Sequence, residues 1–424
     1  MCTYVLISRF FKLVIICAVV LVTVLLLYTS SSYMTLITRQ VFIGHETCSN
    51  YFSRQYTQKL SLCSKSHIEE SIVCEKNPVS KMMAKCMVHG FVLEKFPVTR
   101  AQPKLKTDAI KVRQLESERH KCQSPSLSQL YGSTEETDHV RQIVKKILQK
   151  KPLRASGCNV RLKETVYLFG GDHHIYFRFL GWYNLFKTIY YDHSKMYRII
   201  RFTEDQDFAD VERRLFPSVI SLSNLTGFPV CIEKAVLVPR SFASTPFRCK
   251  MELLDFCSDC LALGFDEPTF FKFREAMLKA CSIDTRINNR LKMRNMLIIL
   301  RKPYKRYSGD VGNFERVMTN EAELLHALQS NFSMFNILPV HMEDLTLCEQ
   351  INVSASANVF MGVHGAGMSH LWWTPKGATI LEFMPDYKSG KPSFEILSQL
   401  IKANYIKLRV DGEQKKKLPL MLMR

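Results

Sequence analysis

The stretch NVFMGVHGAGMSHLWWTPKGATILEFMP, residues Asn358–Pro385, contains the pattern that decides the fold of this chain. Its first part, Val359–Val363, is a short apolar run that stops at a turn signal, which is typical of a buried strand. Small residues follow at 362–367, where the backbone must turn sharply or approach a ligand. The pattern then predicts a helix from Met368 and a second buried strand over Ala378–Phe383.

A helix that begins directly after a glycine turn offers N–H groups without intrahelical partners at the positive end of its dipole, so phosphate binds there readily. His364 stands at the strand end, where it can donate to a diphosphate or to the oxygen that leaves with it. Glu382, near the end of the next strand, can accept two hydrogen bonds from a ribose diol. The alternative is a glycine turn that serves packing alone. The other residues expected at this phosphate site are Gly362, Gly365, Ala366, Gly367 and Met368.

Strands alternate with helices throughout the second half of the chain. Apolar runs at Met296–Leu300 and Asn336–Val340 predict strands, and segments with helical spacing separate them. This alternation implies a parallel sheet with right-handed crossovers, in which ligands bind at the C-terminal strand ends. Arg301 and Arg306 follow one such end, so they are expected to converge with His364 on one crevice and to grip a diphosphate. A surface salt bridge is the alternative for Arg301.

The same stretch resembles the C-terminal signature of glycosyltransferase family 61, which reads G-x-H-G-A-G-hydrophobic and then P-x-G-A-x-hydrophobic-x-E. The matching residues are Gly362, His364, Gly365, Ala366, Gly367, Pro375, Gly377, Ala378 and Glu382. The resemblance implies an α/β fold with two Rossmann-like halves, the GT-B type, and a transfer that inverts the anomeric carbon. It also implies an R-x-x-x-R-like element after the corresponding strand, which Arg301 and Arg306 resemble at one residue further apart. A UDP-sugar is then the co-substrate, no cofactor is required, and the arginines, His364 and the loop amides stabilise the leaving diphosphate.

The resemblance places the general base in the N-terminal half, within an Asn-x-x-His-aromatic element that often has an Asp four residues after the His. The nearest match is DHHIYFR, residues 172–178. It departs from the pattern, because an isoleucine follows His174 and Arg178 stands where the Asp is expected. The base is therefore Asp172, His173 or His174. Otherwise these histidines are structural, and the chain has kept nucleotide binding without transfer.

An apolar run at Leu13–Tyr28 predicts an uncleaved type II signal anchor near the short limit for crossing a bilayer. Arg9 and Lys12 precede it, and positive charge on that flank keeps the N-terminus cytosolic. A cleaved signal peptide is the alternative because serines follow the run, although the run exceeds the usual h-region. The expected organisation is a cytosolic tail at 1–12, the anchor at 13–28, a stem and lead-in at 29–156, an N-terminal acceptor-side half at 157–290 and a C-terminal nucleotide-sugar half at 291–424.

Composition favours an oxidising lumen for the body of the chain. Its 424 residues, 46% of them hydrophobic, fit two globular domains. The net charge of +19 alone would suggest a nucleic-acid partner, but the predicted anchor argues against one. Fourteen cysteines suit disulfide formation, and the sequons at Asn224, Asn331 and Asn352 are potential glycosylation sites. We therefore expect a Golgi or endoplasmic reticulum membrane protein with a lumenal catalytic part.

Three weaker motifs have ordinary explanations. The D-x-D at Asp205–Asp207 is the type of site that holds a metal and a diphosphate in the other large glycosyltransferase fold, yet its acidic neighbours favour a solvated loop. The C-x-x-C at Cys257–Cys260 has no second copy, and Trp372–Trp373 are expected in the core. The overall prediction is an inverting transfer of a sugar, N-acetylglucosamine or xylose, from a UDP-sugar to a protein or glycan hydroxyl. A catalytically inactive lumenal binding protein is the alternative.

Overall fold

The computed structural model describes the chain over residues 58–61, 72–76, 83–95, 111–114, 139–170, 174–192, 196–202, 208–238, 267–284, 294–302, 318, 320–385 and 393–410. The predicted anchor at 13–28 lies outside these residues, and so do Asp172, His173, Arg306 and the D-x-D and C-x-x-C motifs. None of the helices in the described part is both long and apolar enough to cross a membrane.

Thirteen strands and seven α-helices are formed by the described residues. The strands are β1 (Gln58–Ser61), β2 (Ile72–Lys76), β3 (Met83–Lys95), β4 (Lys111–Gln114), β5 (Val160–Phe169), β6 (Tyr197–Arg201), β7 (Val219–Ser221), β8 (Val230–Val238), β9 (Arg294–Leu300), β10 (Phe335–His341), β11 (Ala357–Val363), β12 (Thr379–Pro385) and β13 (Asn404–Val410). The helices are α1 (His139–Gln149), α2 (Ile175–Asp192), α3 (Ala209–Leu215), α4 (Glu267–Ala280), α5 (Glu321–Asn331), α6 (Leu347–Ala355) and α7 (Ser393–Leu400). The predicted α/β class is confirmed.

The first sheet is mixed. Its described strands run in the order β1-β2-β3-β8-β5-β6-β7, with β4 paired to β3. Strands β5 to β8 are parallel to one another, whereas β1 to β4 extend the sheet with antiparallel pairs. The four antiparallel strands come from the stretch expected as stem and lead-in, so that part of the chain is built into the first sheet.

The second sheet is parallel throughout its described strands, in the order β10-β9-β11-β12-β13. Its central strands β9, β11 and β12 are almost continuously buried, which explains why their sequences are mainly apolar. After β9 the chain adds β10 on one side of the sheet, and after β11 it adds β12 and β13 on the other side. The C-terminal ends of β9 and β11 therefore flank the position at which ligands bind in open parallel sheets.

An aromatic core joins the two sheets. Phe179 of α2 packs edge-on against Trp373, with 4.9 Å between ring centroids, and Phe270 of α4 lies 5.1 Å from Trp372. Both tryptophans are fully buried, as expected for core residues. Arg274 adds a polar link, because its Nη2 donates to the Trp373 carbonyl at 2.8 Å. The helices of the first sheet thus pack directly on the segment that follows the glycine turn.

A buried ion-pair cluster fixes α2, β6 and α3 to one another. The carboxylate of Glu212 accepts from Arg201 at 2.7 Å, from Trp182 at 2.8 Å and from Arg178 at 3.5 Å. Glu212 and Arg178 are each 1% exposed. Removing one partner from such a pair leaves an uncompensated buried charge and costs about 3–5 kcal/mol. Arg178, which stands where the family resemblance expects an Asp, therefore serves packing.

Disulfides are present, as the cysteine count predicted. Three bonds lie within the described residues, and they join Cys74 to Cys86, Cys158 to Cys231 and Cys281 to Cys348. The third links the end of α4 to α6, so it ties a helix of the first sheet to a helix of the second.

Candidate active site

The strand ends that were expected to converge are neighbours. Strands β9 and β11 pair in parallel, with Gly362 opposite Ile299. Arg301 follows the end of β9 and His364 follows the end of β11, so both residues leave the sheet side by side. The two residues singled out for leaving-group chemistry therefore occupy one edge of one sheet, although 63 positions in the sequence separate them.

The glycine turn packs closely on β9. A Cβ atom at Gly362 would lie 3.1 Å from the Met368 sulfur and 3.2 Å from the Ile299 Cβ. A Cβ atom at Gly367 would lie 3.0 Å from the Ile299 Cγ2. All three distances are tighter than side chains normally adopt, so a side chain at either position would require its neighbours to shift. The turn is thereby held over the end of the strand that carries Arg301.

The segment after the turn is a 3₁₀ helix, Ala366–Trp373, in place of the predicted ordinary helix. Its first turn closes with a hydrogen bond from the Met368 N–H to the Gly365 carbonyl at 2.9 Å. The Met368 amide is therefore engaged within the turn, and its side chain is fully buried. The expected ligand contact from Met368 stays a prediction. The expected contacts from Gly365, Ala366 and Gly367 stay predictions, since these residues carry the first N–H groups of the helix.

His364 forms a hydrogen bond with a buried carboxylate. Its Nδ1 forms a hydrogen bond with Oε1 of Glu382, the other oxygen of which accepts a hydrogen bond from the Tyr405 hydroxyl. Glu382 has no exposed surface, and His364 is 7% exposed. The Phe394 ring packs edge-on against the imidazole at 5.3 Å. The position of the imidazole ring and the partner of its Nδ1 are thus set by the protein.

Tyr405 remains a neutral donor over the whole physiological pH range. Burial raises the pKa of its phenol strongly, and the negative charge of Glu382 and the hydrogen bond to it raise this pKa further. A neutral phenol donates to the carboxylate, so both Glu382 oxygens are already engaged inside the protein. The expected acceptance of two ribose hydroxyls by Glu382 stays a prediction, and in this geometry its carboxylate is buried beside His364.

Two described cations, Arg301 and Lys302, follow β9. Lys302 is exposed, and its Nζ pairs with Asp344 at 2.7 Å while its backbone N–H donates to Glu343 at 2.9 Å. Lys302 is thus bound to the segment after β10. Arg301 is half-buried at the strand end, and Arg306 lies outside the described residues.

The N-terminal candidates approach the same region from the first sheet. His174 is exposed immediately before α2, and its ring lies 5.1 Å from Phe177. Tyr176, in the first turn of α2, packs edge-on against Phe394 at 5.8 Å, and Phe394 also packs against His364. The start of α2 therefore faces the His364 site through one shared aromatic ring. The candidate bases Asp172 and His173 lie outside the described residues.

Tyr405 and Phe394 were not among the site residues predicted from the sequence. Tyr405 belongs to the edge strand β13, which carries no continuous apolar run, and Phe394 begins the short helix α7. The signal that was available is the glutamate within TILEFMP, since a carboxylate in a buried central strand requires donors from its neighbours. Over the described residues, no group of three or more His, Cys, Asp or Glu side chains is placed to hold a metal ion.

A family model described as Glycosyltransferase 61 matches residues 237–381, from the end of β8 to the start of β12. This part of the chain is similar to glycosyltransferase family 61. This match contains Arg301, the glycine turn and His364, and it stops one residue before Glu382. The family resemblance drawn from the glycine signature is therefore confirmed.

The curated proteins that this chain resembles are glycosyltransferases. A beta-1,2-xylosyltransferase of Oryza sativa subsp. japonica is 24% identical over 218 residues, which are 47% of this chain and 39% of the relative. An EGF domain-specific O-linked N-acetylglucosamine transferase of Rattus norvegicus is 23% identical over 253 residues, 55% of this chain and 43% of the relative. A protein O-linked-mannose beta-1,4-N-acetylglucosaminyltransferase 2 of Homo sapiens is 36% identical over 70 residues, 16% of this chain and 12% of the relative. The matched regions thus span less than half of the length of each relative.

Proposed function

We propose that this chain is an inverting glycosyltransferase that moves a sugar from a UDP-sugar to a hydroxyl of a protein or glycan. The observation that carries the proposal is the placement of Arg301 and His364 on neighbouring strand ends, beside a glycine turn packed on β9. A GT-B arrangement is proposed with it, in which the second sheet binds the nucleotide and the first sheet presents the acceptor.

In this mechanism the acceptor oxygen forms a bond to the anomeric carbon while the bond from that carbon to the diphosphate oxygen breaks. The electron pair leaves with UDP, and the hydroxyl proton passes to a base on the opposite face of the sugar. Negative charge that develops on the diphosphate is stabilised by Arg301, by His364 and by the first amides of the 3₁₀ helix. The proposal requires no metal, because these groups supply positive charge and N–H donors. Arg306 is proposed as a second arginine at the diphosphate.

The base is proposed to come from the start of α2. His174 is the candidate within the described residues, since it is exposed and precedes the helix turn that reaches Phe394. Asp172 is the other candidate. Arg178 is buried against Glu212, so it takes no part in proton transfer.

The donor is proposed to be UDP-N-acetylglucosamine or UDP-xylose, because the curated relatives are named for transfer of those two sugars.

The chain is further proposed to lie in the Golgi or endoplasmic reticulum membrane through residues 13–28, with its catalytic part in the lumen. Exposure of Asn224, Asn331 and Asn352 is compatible with glycans at all three sequons. The test is the mass of the chain before and after glycosidase treatment. If each of the three Asn→Gln substitutions removes one glycan's share of that mass, the lumenal placement is supported, whereas an unglycosylated chain would contradict it.

The test is UDP release by the purified full-length chain with a panel of UDP-sugars, with and without EDTA. Arg301→Ala and His364→Ala are each expected to lower turnover about 10²–10³-fold, as the loss of one preorganised charge-stabilising donor does. Lys302→Ala is the matched control, because this neighbouring cation pairs with Asp344. Near-normal turnover in the Arg301 and His364 variants would remove the assignment, and loss of activity with EDTA would remove the metal-free mechanism.

A second candidate is a non-catalytic protein that binds a nucleotide or glycan in the lumen. The departure of residues 172–178 from the family's base element favours it, together with the structural role of Arg178. Binding of UDP by calorimetry without UDP release from any donor would decide for this candidate.

A further inference from the structure

We propose that Tyr405 is a positioning residue for His364 and that it acts through Glu382. This inference rests on the proposed function of His364 at the leaving diphosphate, and it adds a residue outside the 237–381 family match. Tyr405 does not contact the substrate in this scheme. Its hydroxyl fixes the Glu382 carboxylate, and the carboxylate fixes the imidazole.

The three side chains belong to three consecutive strands of one sheet. His364 follows β11, Glu382 lies in β12 and Tyr405 lies in β13, and these strands are neighbours in that order. In the register, Glu382 pairs with Gly362 on one side and Lys407 on the other. Tyr405 is two positions before Lys407, so it shares a face of the sheet with Glu382 on the diagonal. The hydrogen bonds therefore run across the sheet from its edge strand to the ligand-binding end of β11.

Each member of this chain of hydrogen bonds has a defined role as donor or acceptor. The neutral phenol of Tyr405 only donates to the carboxylate, and the second carboxylate oxygen receives the Nδ1 proton of His364. The imidazole is thereby held in one tautomer and one ring orientation, with Nε2 on the opposite side of the ring.

Stability alone gives no reason for this arrangement. The β12 sequence TILEFMP otherwise places apolar or small side chains in the sheet, and Glu382 is 0% exposed. Buried ionised groups cost several kcal/mol in desolvation, and apolar replacements of equal size are often neutral or stabilising. A carboxylate buried between a histidine at a ligand-binding strand end and a tyrosine donor is better explained by control of the histidine.

The experiment compares Tyr405→Phe with Tyr167→Phe in the full-length chain. Both changes keep the ring and delete one hydroxyl that donates to a carboxylate. The Tyr167 hydroxyl donates to Asp192 at 2.5 Å in the first sheet, away from the glycine turn. The measurements are kcat for UDP release, UDP affinity by calorimetry and the thermal midpoint of each variant.

Tyr405→Phe is expected to lower kcat at least tenfold with UDP affinity changed less than threefold, while Tyr167→Phe leaves both unchanged. A combined Tyr405→Phe and Glu382→Gln variant is expected to be no slower than Glu382→Gln alone, because the two residues act in series. Additive losses would overturn the inference. A loss of UDP affinity with unchanged kcat in Glu382→Gln would also overturn it and return Glu382 to ribose binding.

The two proposals fail in different ways. A wild-type chain that turns over normally, with Tyr405→Phe indistinguishable from Tyr167→Phe, refutes only the role of Tyr405. A wild-type chain that neither binds UDP nor releases it from any UDP-sugar refutes the proposed function, and the role of Tyr405 falls with it. A lowered thermal midpoint with normal kcat for the folded fraction would show that Tyr405 serves stability alone.

Discussion

His370 should make the folded state sensitive to mild acid. It lies in the 3₁₀ helix at 2% exposure, with its ring edge-on to Phe179 at 5.6 Å. Its Nδ1 has no hydrogen-bond partner among the described residues. Burial lowers the pKa of this imidazole from 6.5 to about 3, because a charged ring there would lose its hydration without gaining a partner.

The sign and size of the effect follow from proton linkage. Between about pH 6.5 and pH 3 the unfolded chain binds a proton at His370 that the folded chain does not bind, so stability falls as the pH falls. Each pH unit in this window removes about 1.4 kcal/mol. Acidification from about pH 7.5 to pH 5 should therefore remove roughly 2 kcal/mol of the free energy of unfolding through this single residue.

The assay is urea unfolding at the two pH values, followed by the fluorescence of the three tryptophans, which are all buried in the folded chain. Because other groups also titrate, wild type is compared with His370→Leu, which fills the site and cannot bind a proton. His326→Gln is the control, since His326 is exposed on α5. The loss on acidification should be roughly 2 kcal/mol smaller in His370→Leu and unchanged in His326→Gln. Equal losses in all three chains would refute the reasoning.

Further expectations concern the glycine turn, a disulfide and alkaline stability. Gly362→Ala should destabilise the chain by about 1–3 kcal/mol through overpacking against Ile299, and an unchanged thermal midpoint would contradict this contact. Replacing Cys281 and Cys348 by serine should cost about 4 kcal/mol in urea unfolding, since the bond spans 67 residues, and an equal midpoint would count against that bond. Because the pKa of Tyr405 is raised, its stabilisation is complete below about pH 10 and is lost above it. The loss of unfolding free energy above about pH 10 should therefore be smaller in Tyr405→Phe than in wild type. An equal loss in the two chains would contradict the raised pKa of the Tyr405 phenol.

The elements of the second sheet were predictable because of the way parallel strands are buried. Strands β9, β11 and β12 are covered on both faces, so each appears as a mainly apolar run whose ends can be located to within a few residues. The strands from β1 to β4 were missed, since half-exposed antiparallel strands alternate in burial, as β3 does over residues 85–90. The edge strand β13 was missed for the same reason.

The sequence by itself determined that a glycine turn, His364 and an arginine follow parallel strands, because backbone geometry and local hydrophobicity are properties of neighbouring residues. It did not determine what those side chains contact. Glu382 is 18 residues from His364 and 23 from Tyr405, and the bonds among them exist because strand order places β12 between β11 and β13. Tertiary structure likewise turned Lys302 toward Asp344 and buried Arg178 against Glu212. Hydrogen-bond partners depend on which strands and helices become neighbours, and that choice is made by the packing of the whole core.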